Sequence, residues 1–129
     1  GTVSLRGFGS MTYAGLESMI YADVNRDDPR VRSALAWAAR NWTVAENPGM
    51  GANGLFYYYT VMSKALSLLG PRPLTTPGGQ TIPWQQDLAN KLVALQRPDG
   101  SWANTDNTYW ESNPALATAY ALLTLCDAQ

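Results

Sequence analysis

Apolar residues recur along this chain at helical spacing, and five stretches carry the pattern. In the first, residues 10–24, Leu16, Met19 and Ile20 mark the apolar spacing, Ser10 is placed to cap the start, and Asp23 stands at a polar end. Residues 1–9, with Gly7 and Gly9, read as an extended lead-in. Asp28 then caps and Pro29 opens a second helix over 30–42, whose stripe runs Val31, Leu35, Ala38, Trp42. A glycine-rich loop, 47–54, leads to a third helix over 55–69 closed by Gly70. Four consecutive aromatics, Phe56 to Tyr59, imply that this helix is covered on more than one side.

Residues 71–83 hold Pro71, Pro73, Pro77 and Pro83 and exclude a helix; a short edge β-hairpin over 74–82 fits around Pro77-Gly78-Gly79. The fourth helix, 85–96, shows Leu88, Leu92 and Leu95 on one face and stops before Pro98. Asp99-Gly100 is a turn pair, and Trp102 is large enough to cover that turn from outside. The Gln96 amide is placed to bond the freed backbone groups and the Trp102 indole N–H. A polar loop, 103–112, precedes the last helix, 115–127, capped by Asn113 and opened by Pro114.

The first, third and fifth helices repeat one pattern. Tyr13-Ala-Gly-Leu16, Tyr59-Thr-Val-Met62 and Ala119-Tyr-Ala-Leu122 superpose without gaps at offsets of 46 and 60 residues. Self-similarity at that period is the mark of a helical-hairpin repeat, with the other two helices as the return limbs. The chain is expected to be all-α: inner, outer, inner, outer, inner.

Gln96-Arg97-Pro98-Asp99-Gly100-Ser101-Trp102 resembles the QW motif of squalene–hopene and oxidosqualene cyclases, met in weaker form in protein prenyltransferase β-subunits. The wider chain, about residues 6–127, is similar to bacterial proteins with prenyltransferase and squalene oxidase repeats. The resemblance implies a partial (α/α)-toroid of about two and a half hairpins. It also makes Gln96, Asp99, Gly100 and Trp102 the structural clasp between an outer helix and the next inner one. It further implies that residues 1–129 form a single repeat domain, a piece or half of a larger ring. Apolar flanks at both edges would then be covered by self-association or by the missing half.

Composition narrows the chemistry. Nine basic against ten acidic residues, with no run of either sign, offer no basic face for nucleic acid. No apolar run reaches transmembrane length, so the chain reads as soluble, with its compartment open. There is no histidine, the commonest general base and zinc ligand, and the single Cys126 excludes an internal disulfide and reads as a buried, inert thiol. The acid motif that the cyclases resemble one another in has its nearest counterpart in Asp23-Val-Asn-Arg-Asp27-Asp28, with the wrong spacing and a capping role. The stretch Trp110–Tyr120, where the transferases resemble one another in opening an inner helix with a zinc-binding His, has none. No metal and no cofactor are expected, and the chain carries neither catalytic motif of the family.

The aromatics are the remaining functional signal. Inner helix faces of a toroid line a central cavity, where aromatic rings can hold an apolar polyene or face a cation. Tyr13, Phe56, Tyr57, Tyr59, Trp110 and Tyr120 are the candidate ligand-binding residues, with packing in the core as the plainer role for about half of them. Glu17, Thr60 and Ser63 are the expected partners for tyrosine hydroxyls. Glu17, a carboxylate amid an inner helix, is the one weak catalytic candidate; Glu111 and Asp106 read as solvated loop residues. The expected partner is an isoprenoid or other apolar small molecule. The alternative is a non-catalytic helical-repeat scaffold for protein or polysaccharide.

Overall fold

A computed structural model describes residues 7–129. It contains five helices: α1 (Gly9–Tyr21), α2 (Pro29–Arg40), α3 (Leu55–Leu68), α4 (Trp84–Leu95) and α5 (Pro114–Asp127). The fold is all-α, and the described residues form no sheet. The hairpin expected over 74–82 contracts to one bridge between Thr75 and Thr81. Two backbone bonds, Thr76 N to Gln80 O and Ile82 N to Leu74 O, frame it. Leu74 and Ile82 anchor it in the core.

α3 is the centre of the molecule. It packs against α1 on one side and α5 on the other, while α1 and α5 make no direct contact among the described residues. α2 lies against α1, and α4 against α5 and α3. Nine of the fourteen α3 residues are buried, among them Phe56, Tyr58 and Tyr59, while Tyr57 is exposed. Side-chain contacts fix the direction of the three. Near the helix starts, the Tyr13 and Tyr58 rings lie 5.9 Å apart, and those of Tyr57 and Tyr120 6.0 Å apart. Near the ends, Ser63 Oγ donates to Asp127 Oδ2 at 3.3 Å, and the Arg26 guanidinium, just past α1, donates to the carbonyls of Leu68 and Leu69. The three helices therefore run parallel, with α2 and α4 as the return limbs between them.

Two of these parallel helices receive a cap from far along the chain. Asn47, in the loop before α3, accepts from Ser10 N of α1 at 3.0 Å. Glu111, in the loop before α5, accepts from Phe56 N and Tyr57 N of α3, both at 2.9 Å. The first amides of a helix have no partner within it, so each loop supplies the acceptors that the preceding parallel helix lacks. α5 is capped locally, Ala115 N donating to Asn113 Oδ1 at 3.0 Å.

Several expectations are corrected. Ser10 is no cap: α1 already starts at Gly9, so the expected extended lead-in ends earlier, and its residues 1–6 lie outside the described residues. Gly9 is needed there, because a Cβ would stand 2.6 Å from Pro48 Cδ and 2.7 Å from the Tyr58 ring. α1 ends at Tyr21, since Asp23 takes a left-handed φ of 57°. The partners of the tyrosine hydroxyls are backbone carbonyls, not Glu17, Thr60 or Ser63: Tyr58 donates to Thr43 O at 2.7 Å and Tyr59 to Val44 O. Cys126 is exposed on α5, not buried.

The clasp forms with one change of partner. Gln96 Nε2 donates to Gly100 O at 3.0 Å and Asp99 accepts from Ser101, while Gly100 takes the φ of 86° that the turn requires. The Ser101 hydroxyl, bonded to Asp99, holds that carboxyl below its ordinary range. The Trp102 indole N–H donates to Leu92 O of α4 at 2.9 Å, not to Gln96. Trp102 N donates to Thr118 Oγ1 of α5 at 3.0 Å, so this one residue ties the two helices together.

Candidate functional site

The starts of the three parallel helices surround a cleft of about 450 Å3. That volume lies within the range of small-molecule sites. Each helix contributes to a wall: Met11 and Ala14 from α1, Tyr57 from α3, Leu116 and Tyr120 from α5. The loops close the ends, with Phe8 before α1, Met50 before α3, and Tyr109 and Trp110 before α5. The lining is mainly apolar, with the polar groups Ser10, Asn47 and Glu111 set into it.

Local backbone explains why the aromatics are presented here. Gly54 ends the loop before α3 at a left-handed φ of 62°, which turns the chain into the helix directly below the cleft. Its position matters, because an added Cβ would touch the Tyr109 ring at 3.4 Å. Trp110 is held at φ 62° without being glycine, and its side chain stays 71% exposed at the cleft. A bulky residue in that region of backbone space is a strained exception, which folds retain where the surroundings over-determine it. The Trp110 backbone is so held: its N–H donates to Asn107 O, and its carbonyl accepts from Asn113 N, both at 3.1 Å.

Glu111 sets the electrostatics. It is 1% exposed, and both oxygens accept N–H groups of α3, with Asn104 Nδ2 adding a third bond at 3.2 Å. The reading of Glu111 as a solvated loop residue is therefore corrected, because the helix start draws its carboxylate inward. Burial first, and the Glu111 charge second, push the Tyr120 hydroxyl above its usual range.

Of the six candidate ligand-binding residues, the fold brings Tyr57, Trp110 and Tyr120 to the cleft. Tyr13, Phe56 and Tyr59 lie in the core, at most 2% exposed, away from its lining. Burial pushes the Tyr13 and Tyr59 hydroxyls well above their ordinary range, as it does that of Tyr58. Glu17 is half-buried on α1 and takes no part in the cleft lining. Gln96, Asp99, Gly100 and Trp102 shape the α4–α5 turn and take no part in the lining. Sequence reasoning missed Phe8, Met11, Met50 and Leu116. The one sequence signal near them is the glycine-rich loop before α3. No group of three or more acidic, Cys or His side chains among the described residues is arranged to hold a metal ion. No described helix is long and apolar enough to cross a membrane. No family model, no curated protein and no solved structure matches this chain.

Proposed function

We propose that this chain is a binding domain that holds an isoprenoid or similar apolar ligand in the cleft at the starts of α1, α3 and α5. The observation that carries the reading is Trp110, a large apolar side chain kept in a strained backbone conformation and left exposed beside the cleft. Strain of this kind costs on the order of 1–3 kcal/mol, and a site that uses the indole gives it a purpose. Exposed Met11, Tyr57 and Tyr109 surround the same space, so water-facing apolar area is concentrated where a ligand would cover it. Three parallel helices with two return limbs also support the arc of an (α/α)-toroid. Nothing in the lining is arranged as a nucleophile with its base, which favours binding over catalysis as this chain's own task.

Titration calorimetry with a fifteen-carbon isoprenoid alcohol tests the reading. Trp110→Ala should weaken binding about fivefold or more, as expected for a lost aromatic contact. Tyr21→Ala, an exposed residue at the end of α1 outside the lining, should leave it unchanged. Absence of binding, or equal loss in both variants, refutes the reading.

One observation favours a scaffold as the second reading. The free side of α5 exposes Ala115, Ala119, Leu122, Leu123 and Cys126 in a continuous apolar stripe. Leu122→Glu would solubilise that stripe, and a scaffold that depends on it would then lose its protein partner while the cleft still bound ligand.

A further inference from the structure

The walls of the cleft are asymmetric in charge. Among the described residues no Lys or Arg lines it, and Glu111 is the one carboxylate that does. With both oxygens accepting N–H groups, that side chain is an acceptor throughout. The start of α3 is the natural seat for an anion, yet its Phe56 and Tyr57 amides already belong to Glu111. An anionic ligand would meet that carboxylate with no cation among the described lining residues to offset it.

The opposite charge is better served. Tyr57, Tyr109, Trp110 and Tyr120 converge on the space, and the Tyr57 and Tyr120 rings stand 6.0 Å apart at 58°. Aromatic faces attract cations through the ring quadrupole, and a methylated ammonium loses little hydration on entering such a group of rings. The Glu111 carboxylate lines the same cleft as the Tyr120 ring and supplies negative potential beside it.

Building on the apolar-ligand reading above, we infer that the cleft takes a ligand with a quaternary ammonium head and an apolar tail, the head among Tyr57, Trp110 and Tyr120. The tail lies along Met11, Met50 and Leu116. Trp110 and Glu111 are then the residues that set head-group specificity, and an anionic head such as a carboxylate or diphosphate is rejected.

Three probes of equal chain length test this: decyltrimethylammonium, decanol and decanoate, each titrated calorimetrically below its micellar concentration at neutral pH. The ammonium should bind about tenfold tighter than the alcohol, and decanoate should bind weakest. Trp110→Leu keeps apolar bulk without the ring face, so it should cost the ammonium about threefold more affinity than it costs the alcohol. If decanol binds as tightly as the ammonium, or if Trp110→Leu weakens both alike, the head-group inference is overturned while the apolar cleft stands. If none of the three binds, the apolar-ligand reading falls with it.

Discussion

Replacing Glu111 by alanine removes the acceptors of two amides at the start of the central helix, 55 and 54 residues earlier in the chain. Phe56 N is buried and Tyr57 N partly so, hence water cannot fully replace the carboxylate. A buried donor left without a partner costs about 1–3 kcal/mol, and bonds to a charged acceptor sit at the upper end. Asn104 Nδ2 suffers less, because it also donates to Ala52 O at 2.7 Å. Two orphaned amides therefore put Glu111→Ala at about 3–5 kcal/mol of lost stability. Glu111→Gln keeps one acceptor oxygen but turns an NH2 group toward the other amide, so about 2 kcal/mol is expected. Urea denaturation gives both values. Hydrogen exchange adds a local readout, since the Phe56 and Tyr57 amides should lose protection in the alanine variant before the end of α3 does. Exposed Glu46 serves as the control, with Glu46→Ala within about 0.5 kcal/mol of the parent. A Glu111→Ala cost below about 1 kcal/mol, with those two amides still slow to exchange, would refute the cap.

Trp102→Ala should cost about 3–5 kcal/mol by thermal or urea unfolding, because the indole is 4% exposed and holds α4 to α5; a loss below 1 kcal/mol would mean the clasp is not formed. Gly9→Ala should cost about 1–3 kcal/mol despite the helix propensity of alanine, since its methyl would meet Pro48, Tyr58 and Asn47 within 2.8 Å; a neutral or stabilised variant would contradict the packing of α1 on α3. Alkaline unfolding follows from Tyr13, Tyr58 and Tyr59, whose hydroxyls are all pushed up by burial. Their neutral forms stabilise the fold fully below the ordinary tyrosine value of 10.0. Above it the unfolded chain releases protons that the native chain retains, so stability should fall by about 1.4 kcal/mol per pH unit for each tyrosine. Tyrosinate absorbance that accounts for all seven tyrosines before the chain unfolds would place those three hydroxyls in solvent.

The local signals in the sequence were sufficient for the elements and insufficient for what joins them. Asp28-Pro29 and Asn113-Pro114 act within two residues of their own helices, so their capping was readable, and both caps form. Asn47 and Glu111 cap helices 37 and 55 residues away, a relation that no local pattern records. The same holds for the aromatics. Phe56 to Tyr59 point around the whole circumference of α3, and only the neighbours decide which stays uncovered. Phe56, Tyr58 and Tyr59 are buried, with Tyr58 against Tyr13 of α1 and the Tyr58 and Tyr59 hydroxyls on the segment at Thr43 and Val44, leaving Tyr57 for the cleft. Trp110 carries no mark of its left-handed backbone, because tryptophan is the last residue that propensity would place there.

If the space between the starts of α1, α3 and α5 receives an apolar ligand, as proposed, the methionines report on it directly. The chain has four: Met11 and Met50 line the cleft, Met62 is fully buried in the core, and Met19 lies outside the lining. With 13C-labelled methionine methyls, titration of an isoprenoid alcohol, or of the alkylammonium probe, should shift the Met11 and Met50 signals in a saturable way and leave Met19 and Met62 in place. Unmoved Met11 and Met50 signals at saturating probe, or shifts that appear first at Met19 or Met62, would contradict the account.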